Sequence, residues 1–545
     1  MKKDIQQELT YIIKESLKEF IADKEAIKDV VLDYPSDPRF GDLSTNIALN
    51  LARHLKKNPG EIAGELLQSI KKNLSLDPLN NYLREIKVEG AGFINFYFNN
   101  QYFWDRLSEI VLKGKDVFRL DIGKDKPVLI EFVSANPTGS LSVAHARQAV
   151  VGDCLANILD FLGFKVKREY YLNDEGNQIN ILAESVRLRI KELEGERIEF
   201  PQECYQGNYI CDIAKEAKTK KIRSEDLGDF AANYILKLIR KELDDFGVRF
   251  DYWYSQKALQ KTDKIEEVFG FLKNKDFLYE KDGALWFRST AFGDDKDRVV
   301  TKSDGSFTYL APDIAYHQDK YKRGFEWLIN LWGPDHHGYI KRLKASVQAL
   351  GKSQDSLSII IVQLATIFRD GKAVQMSTRR GEYITLREVL NEVGIDASRF
   401  FFLMRRTSSH LDFDLGVAKK ETPENPVYYV QYAFARISSI LRNAPIKINP
   451  KTDLSVLKEE EELTMIKKLL QFSSVLYTCY ITLDPYMLTV YLQELAESFH
   501  RFYDRHRVLG DSDTLTQARL NLIDGVRIML GAGLELLGVS SPEKM

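Results

Sequence analysis

Length, composition and charge set the outer limits for this chain. It has 545 residues, more than one hydrophobic core accommodates, so we expect roughly three domains. The formal net charge of −2 at pH 7 excludes a general attraction to nucleic acid, so such a partner would have to be held by local patches. Four cysteines without a CxxC pair exclude a disulfide framework. No apolar run reaches membrane-spanning length and the MKKD start is unlike a secretory leader, so we expect a cytoplasmic protein without a membrane partner.

Residues 1–115 are predicted to form a small α/β domain. Apolar side chains recur at helical spacing from Ile5 to Phe20, and a second helix is predicted over 43–55. Two short alternating runs, 86–88 and 93–98, flank a glycine-containing turn and predict a hairpin. Nothing in this part of the sequence is typical of catalysis.

The stretch VLIEFVSANPTGSLSVAHARQAVVGDCL is the strongest candidate site. Val128–Val133 is typical of a buried strand, and the polar SANPTGS that follows continues neither a strand nor a helix. Helical spacing begins at Val143. A strand, a loop and a helix N-terminus together place free N–H groups and the positive end of the helix dipole where a phosphate can approach. Gly139 has no side chain that would obstruct that approach. The alternative is an ordinary connection within an α/β domain.

Residues 116–420 alternate helices with β-branched runs, which predicts a doubly wound parallel sheet with an insertion at about 190–255. Ligands of such sheets bind at the carboxyl ends of strands, so the loops after strands are candidate sites. Three further polar loops stand out: TYLAPDIAYH with Tyr309, Asp313 and His317, NLWGPDHHGYIKR after a strand over 327–331, and FRDGKAVQMSTRRGEY after a strand over 359–365.

Two of these loops allow more than one interpretation. His336 and His337 beside Asp335 suggest zinc, but adjacent histidines point in different directions, and the sequence has neither HExxH nor a second ligand cluster. We therefore expect no protein-bound structural metal. The loop with Lys372 and Arg379 is a cationic segment suited to closing over phosphate, and its alternative is a solvated charged turn.

Together the four loops resemble the class I aminoacyl-tRNA synthetases, specifically the arginyl-tRNA synthetase family. EFVSANPTGSLSVAH stands where that family has its HIGH signature, and VQMSTRRGEYITL stands where it has the KMSKS loop. The likeness extends through FGDLSTNIALNLA, REYYLNDEGNQI, ENPVYYVQYAFAR and LELLGVSSPEKM. The resemblance implies an N-terminal tRNA-contacting α/β domain (1–115), a Rossmann catalytic domain (116–420) and an all-α anticodon-binding domain (421–545).

The resemblance also implies an activity. Such an enzyme activates L-arginine with ATP, with Mg²⁺ as the nucleotide counter-ion, and transfers the arginyl group to the 3′ end of tRNA(Arg). It is expected to be a monomer. Two alternatives remain open: a catalytically weak paralogue that binds tRNA or arginine without charging, and a nucleotide-binding metabolic enzyme unrelated to tRNA.

Site residues carry over from the family position by position. The implied catalytic residues are His145, Ser142, Lys372 and Arg379. The implied ATP-binding residues are Asn136, Pro137, Thr138, Gly139, Ser142, Ala144, His145, Gly333, Asp335, His336, Gln375, Met376 and Ser377. The implied arginine-binding residues are Glu131, Ser134, Asn136, Tyr309 and Asp313. Because a carboxylate meets a guanidinium fork bidentately, we expect Asp313, alone or with Glu131, to select arginine.

The C-terminal domain is predicted to bind tRNA through stacking rings and a few cations, since it carries more acidic than basic side chains. The candidates are Tyr428, Tyr432, Arg501, Tyr503, Arg505, Arg507 and Met545. For any one of them, the alternative is a core tyrosine or a solvated arginine.

The chain departs from the family pattern at several positions. Ser142 replaces the first His of the HIGH signature and Ala144 its Gly, while Gln375 and Thr378 replace the two lysines of the mobile loop. Phe434 replaces a usual His. We expect Lys372, Arg379 or Arg380 to compensate for the missing loop lysines.

Overall fold

The computed structural model describes residues 5–19, 21, 30–35, 37–75, 77–369, 371–374, 384–510 and 512–545. The predicted loop residues Gln375, Met376, Ser377, Thr378, Arg379 and Arg380 therefore lie outside the described residues. The chain divides into two compact units. The first comprises Met1–Phe118, Ile437–Ser473 and Glu497–Met529, and the second comprises Arg119–Arg436, Ser474–Ala496 and Leu530–Met545. The three-domain division with boundaries near 115 and 420 stays a prediction.

The first unit begins with a small mixed α/β fold. Its elements are α1 (Ile5–Leu17), β1 (Leu43–Thr45), α2 (Ile47–Leu55), α3 (Pro59–Leu74), β2 (Leu83–Glu89), β3 (Phe93–Phe98) and α4 (Asn100–Lys113). The antiparallel sheet has the order β1-β3-β2, which confirms the predicted hairpin. The helix predicted over 43–55 starts only at Ile47, because Leu43–Thr45 pairs with the central, largely buried strand β3. Thr45 Oγ1 then accepts a hydrogen bond from Ile47 N at 3.3 Å as the helix begins.

The second unit contains most of the remaining elements. In chain order these are β4 (Pro127–Glu131), α5 (Val143–Phe161), β5 (Lys165–Leu172), α6 (Asn177–Leu193), α7 (Asn208–Thr219), α8 (Leu227–Asp245), β6 (Tyr252–Ser255), α9 (Gln256–Gln260), α10 (Lys264–Lys273), β7 (Leu278–Lys281), β8 (Ala284–Phe287), β9 (Arg298–Thr301), α11 (Leu310–Lys322), β10 (Trp327–Trp332), α12 (Ile340–Ala349), β11 (Leu357–Ile361), β12 (Ala365–Arg369), β13 (Lys372–Ala373), α13 (Leu386–Leu403), β14 (Leu411–Asp414) and α14 (Leu415–Ala418).

The last part of the chain is helical throughout its described elements. These helices are α15 (Pro426–Asn443), α16 (Glu460–Leu470), α17 (Phe472–Thr482), α18 (Tyr486–Arg505) and α19 (Asp513–Leu537). Residues of α15, α17, α18 and α19 are divided between the two units. Within the described ranges, no helix is both long and apolar enough to cross a membrane.

A five-stranded sheet organises the second unit. Its order is β11-β10-β4-β5-β6, and every neighbouring pair runs parallel. Numbered along the chain, the first strand of this sheet, β4, lies at its centre, and the following strands extend first to one side and then to the other. This confirms the doubly wound Rossmann arrangement. The strand order reverses between β4 and β10, which is where such sheets bind ligands.

The structure corrects several predicted boundaries. The strand predicted over Val128–Val133 ends at Glu131, because Val133 and Ser134 take φ of 67° and 41°, outside the β region. The strand predicted over 359–365 is two strands: β11 ends at Ile361, and β12 belongs to a separate sheet of order β13-β12-β14. The insertion predicted at about 190–255 includes β6, which is the edge strand of the parallel sheet. Because that segment is rich in charged and aromatic residues, the sequence did not predict that β6 pairs with β5.

Helix α5 is fixed tightly against the sheet. A Cβ added at Gly152 would lie 2.4 Å from Cγ of Phe132, so only glycine permits this close approach. The next residue, Asp153, accepts a hydrogen bond from the buried Arg399 guanidinium at 2.5 Å. Burying an ion pair is costly unless both partners are fully bonded, and Arg399 also donates to two carbonyl oxygens, those of Leu537 and Phe246. The N-terminus of α5 is therefore held in a defined place.

Candidate active site

The N-terminus of α5 presents a neutral histidine. Ser142 N donates to His145 Nδ1 at 3.2 Å, so Nδ1 carries no proton and the ring proton resides on Nε2. Burial lowers the pKa of His145 to about 4, which keeps the ring uncharged near neutral pH. Ser142 Oγ lies 3.1 Å from the same Nδ1. The replacement of the first signature His by Ser142 thus preserves the hydrogen-bonded start of the helix.

The loop between β4 and α5 is anchored at both ends. Ser134 Oγ accepts from Tyr171 N at 3.1 Å, and Tyr209 OH donates to Thr138 O at 2.7 Å. Asn136 Nδ2 donates to Gln178 Oε1 at 2.5 Å. Pro137 is buried, while Thr138, Gly139 and Ala144 stay partly exposed beside the helix N-terminus. The predicted phosphate-facing residues are therefore brought together around the N-terminus of α5.

The carboxylate of Asp313 is hydrogen-bonded by a tyrosine, Tyr339. Burial is the main cause that raises the pKa of Asp313 to about 6, and nearby Glu131 raises it further. Tyr339 OH opposes this by donating to Asp313 Oδ2 at 2.5 Å. Tyr309 stands at the N-cap of α11, one turn before Asp313, with 85% of its surface exposed.

Glu131, the other predicted arginine-binding acid, has a partner within the chain. Lys320 Nζ donates to Glu131 Oε2 and lies 3.3 Å from Asn330 Oδ1. Asn330 Nδ2 in turn lies 3.0 Å from Nε2 of His317. Burial lowers the pKa of His317 to about 3, so this ring is neutral and the network carries one lysine and one carboxylate. Asp313 is thus the better placed of the two acids to receive a guanidinium.

The turn after β10 carries the residues predicted to hold adenosine. Gly333 precedes a short 3₁₀ segment, Pro334–Tyr339, and a Cβ at Gly333 would lie 2.6 Å from Asp335 Oδ1. The ring of His336 is exposed, 5.8 Å from that of Trp332, and its Nε2 lies 3.4 Å from Asp335 Oδ2. Within the described residues no group of three or more His, Cys, Asp or Glu side chains is arranged to hold a metal ion.

The sequence matches one family throughout. Residues 7–98 match the arginyl-tRNA synthetase N-terminal domain, residues 106–403 the class I (R) tRNA synthetase catalytic domain, and residues 430–545 the DALR anticodon-binding domain. The arginine–tRNA ligase of Citrifermentans bemidjiense is 46% identical over 529 residues, which cover 94% of each chain. The arginine–tRNA ligase 1 of Halalkalibacterium halodurans is 43% identical over 100% of this chain and 99% of its own.

The chain belongs to the arginyl-tRNA synthetase family. A solved structure agrees in fold: Thermus thermophilus arginyl-tRNA synthetase superposes with a TM-score of 0.80 at 21% identity and covers 99% of this chain and 100% of its own. The family, the fold class and the assignment as an aminoacyl-tRNA synthetase are confirmed. The alternative of a metabolic enzyme unrelated to tRNA was wrong. ATP use follows from membership in the class I synthetases.

Two of the predicted tRNA-binding residues line one cavity in the second unit. Tyr428 and the C-terminal Met545 border a space of about 700 Å³ next to Gln431. The rings of Tyr428 and Tyr432 stack with centroids 6.1 Å apart and planes inclined by 12°. Tyr432 is 38% exposed. The arginyl-tRNA synthetase chain therefore presents aromatic faces beside an open cavity here.

The other predicted tRNA-binding residues lie in the first unit, at the end of α18 and just beyond it. Arg501 pairs with Glu497, and Arg505 pairs with Glu461, which also contacts His506. Arg507 is exposed, and its carbonyl oxygen accepts from Arg519. Leu495, Phe499 and Phe502, which recur at helical spacing in α18, are each 0% exposed.

Sequence reasoning missed three residues of this synthetase site: Lys320, Tyr339 and Arg147. Arg147 is fully buried, and its guanidinium donates to backbone carbonyls of two segments, 363–364 and 405–409. The first segment links β11 to β12, and the second links α13 to β14. A basic residue among the apolar positions of α5 was the available signal. For Lys320, the signal was its position seven residues after Asp313 on the same helix.

Proposed function

We propose that this chain charges tRNA(Arg) with L-arginine in two steps at the crevice between β4 and β10. Arginine's carboxylate attacks the α-phosphorus of ATP, which forms arginyl-adenylate and releases pyrophosphate. The terminal ribose hydroxyl of the tRNA then takes the arginyl group and releases AMP. Arginine tRNA aminoacylation is the activity named for the curated relatives, and their identity extends over both the catalytic and the anticodon-binding regions.

The observation that supports this proposal is that Tyr339, which follows β10, bonds the Asp313 carboxylate, while His145 lies in the first turn of α5, which follows β4. Asp313 offers a carboxylate for a guanidinium, and His145 offers an Nε2–H donor at a helix N-terminus. The helix dipole and a neutral donor favour phosphate without requiring a proton to move. Adenylate formation needs mainly orientation and charge stabilisation, which these groups supply.

Amino-acid selection rests on Asp313 together with Tyr309. Arginine's guanidinium presents five donors in a plane, and a carboxylate oxygen in a partly buried site meets it with a charge-assisted bond. Tyr309, exposed in the absence of substrate, would cover the aliphatic part of the side chain. Ser134 and Asn136 lie in the adjoining loop and are placed to bind the amino and carboxylate groups of arginine.

Nucleotide binding uses the two loops that face each other across the switch point. Gly333, Asp335 and His336 hold the adenosine, while the loop from Asn136 to Gly139 and the N-terminus of α5 face the phosphates. Mg²⁺ arrives with ATP as the counter-ion of the phosphate oxygens. Lys372 is exposed in β13, at the entrance to the 375–381 segment, and supplies positive charge towards pyrophosphate.

The tRNA is held by stacking and by local cations. The cavity beside Tyr428, Tyr432 and Met545 accepts an unstacked anticodon-loop base, because an aromatic face stacks any base. Within the predicted cluster of Arg501, Tyr503, Arg505 and Arg507, the exposed Arg507 supplies the main contact to the backbone phosphates. The enzyme acts in the cytoplasm as a monomer, with domains near 1–115, 116–420 and 421–545.

Pyrophosphate exchange tests this function. With arginine, ATP and tRNA(Arg), the purified chain should incorporate labelled pyrophosphate into ATP and should attach labelled arginine to the tRNA. Omitting tRNA shows whether activation depends on it. Replacing arginine with lysine controls for amino-acid selection. A chain that binds tRNA(Arg) but attaches no arginine would instead be the weak paralogue left open by the altered signatures.

A further inference from the structure

Tyr339 connects the turn after β10 to the Asp313 carboxylate on α11. It is the last residue of the 3₁₀ segment after β10, and its hydroxyl donates to Asp313 Oδ2 on α11 at 2.5 Å. The two residues are 26 positions apart in sequence.

The ring of Tyr339 is held from two further directions. Its centroid lies 6.0 Å from that of Trp332, at an interplanar angle of 63°, and the Arg342 guanidinium carbon lies 4.9 Å from it. A ring fixed in this way presents its hydroxyl in one direction. The bond therefore determines which way the Asp313 carboxylate is turned, because one of its two oxygens is occupied.

Orientation of this carboxylate matters for a planar ligand. A guanidinium donates two parallel hydrogen bonds to a carboxylate only when the two planes and the donor directions agree. With Oδ2 held by Tyr339, Oδ1 and the remaining lone pair of Oδ2 are available in a fixed plane. A carboxylate free to rotate would lose part of its binding free energy in being ordered by the ligand.

We propose that Tyr339 is a positioning residue for amino-acid selection, which orients Asp313 towards arginine and ties it to the nucleotide-binding turn after β10. The inference rests on the proposed role of Asp313 in arginine binding. Tyr339 itself touches no reacting atom in this account. It acts through the carboxylate that it bonds.

The ionisation of Asp313 gives this role a distinctive signature. Charged and titratable groups face Asp313 from four elements: Glu131 on β4, Tyr171 on β5, His317 and Lys320 on its own helix, and Tyr339. Among them, burial aside, the Tyr339 hydroxyl has the largest effect on the pKa of Asp313, and it lowers that pKa. Removing the hydroxyl should raise the pKa above its value of about 6. The protonated acid cannot pair with a guanidinium, so arginine binding should weaken at higher pH than before.

Tyr339→Phe tests the inference, because it removes the hydroxyl and keeps the ring. In aminoacylation assays with saturating ATP and tRNA(Arg), we expect the KM for arginine to rise roughly tenfold at pH 7.5, with kcat and the KM for ATP nearly unchanged. The acid limb of kcat/KM for arginine should move to higher pH. Tyr321→Phe is the matched control, since Tyr321 is also on the sheet-facing side and bonds only Ser356 among the described contacts. Tyr321→Phe should change neither the KM for arginine nor the acid limb of kcat/KM.

A second variant separates this inference from the proposed function. Asp313→Asn should raise the KM for arginine by itself, and adding Tyr339→Phe to it should have little further effect. If Asp313→Asn weakens arginine binding but Tyr339→Phe changes neither KM nor the acid limb, the positioning role is overturned and the arginine site stands. If neither variant alters arginine binding, the pocket assigned to arginine is wrong and the inference fails with it.

Discussion

Lys320 donates to Glu131 at the carboxyl end of the central strand, so the strand-end carboxylate is already paired inside the protein. Both side chains are almost fully buried. An incoming guanidinium would have to compete with a lysine for Glu131, whereas the described residues give Asp313 a bond from the neutral Tyr339 hydroxyl on one oxygen. The two predicted acids therefore contribute differently: Glu131 to the architecture of the site and Asp313 to its ligand.

Breaking the Glu131–Lys320 pair should destabilise the second unit. Glu131→Gln leaves a buried ammonium without its counter-charge, which should cost about 3–5 kcal/mol in the free energy of unfolding. Glu131→Gln combined with Lys320→Met should recover most of that loss, because neither charge then remains buried. Urea titration followed by tryptophan fluorescence measures both variants. Equal loss in the single and the double variant would show that the pair contributes through packing alone.

Asp313→Asn should selectively weaken arginine binding. Losing one charged partner of a desolvated guanidinium typically costs about 2–5 kcal/mol, which corresponds to an increase of at least about thirtyfold in the KM for arginine. The KM for ATP should remain close to that of the unaltered enzyme, because the phosphates face α5. Steady-state aminoacylation with each substrate varied in turn gives both constants. An unchanged KM for arginine would rule out Asp313 as the selector.

The pH dependence of arginine use should follow Asp313. Its pKa is raised to about 6, and only the ionised form pairs with a guanidinium, so kcat/KM for arginine should fall as pH decreases through about 6. His145 should not add a step in that range, because its pKa is lowered to about 4 and it stays neutral. The profile from pH 5 to 8.5 should therefore show one acid limb attributable to Asp313. A limb that survives in Asp313→Asn would point to another group.

Part of this site could be predicted from the sequence because local patterns carry it. Apolar runs and polar loops located β4, α5 and β10. The T-x-x-E pattern from Thr385 to Glu388 corresponds to a capping box, in which Thr385 N donates to Glu388 Oε2 at 2.7 Å. The predicted strand end was wrong where the backbone leaves the β conformation, as at Val133 with its positive φ. Steric cost makes a positive φ rare at valine, so residue propensity alone predicts that the strand continues to Val133.

Long-range partners could not be predicted in the same way. Lys320 and Glu131 are 189 positions apart, and Arg147 reaches carbonyls more than 200 positions away. Such contacts depend on the three-dimensional arrangement of strands and carry no periodic signal. The arginines near 501–507 are another example of a long-range partner that the sequence does not predict, since Arg505 pairs with Glu461.

Phosphate handling should depend on Lys372 together with Arg379. We expect both to supply positive charge near the positions where the family's loop lysines are replaced. A role confined to the transition state lowers the rate of activation while leaving ATP binding nearly intact. Lys372→Ala with Arg379→Ala should slow adenylate formation by orders of magnitude in a single-turnover assay. Lys218→Ala, at an exposed lysine of α7 that pairs with Glu194, is the control. Near-normal single-turnover rates in the double variant would eliminate this role.

Arg507 should contribute more to tRNA binding than Arg505. Arg505 is 65% exposed but already bonded to Glu461, whose pKa is lowered to about 2 by a backbone hydrogen bond and by its bonds to Arg505 and His506. To contact a phosphate, Arg505 would first have to leave a carboxylate that stays ionised at every working pH. Arg507 is exposed beyond the end of α18, with its carbonyl fixed by Arg519. It is therefore the better placed cation.

The salt dependence of tRNA binding distinguishes the two arginines. Each lost phosphate contact should lower the slope of log K against log salt by about 0.7 to 1. Arg507→Ala should show most of that change and raise the KM for tRNA, Arg505→Ala should show little, and the double variant should resemble Arg507→Ala. The KM values for arginine and ATP should stay constant, which controls for damage to the catalytic site. If tRNA affinity is unaltered across the salt series in the double variant, these arginines face solvent, and the stacked rings of Tyr428 and Tyr432 become the principal candidates for holding the anticodon loop.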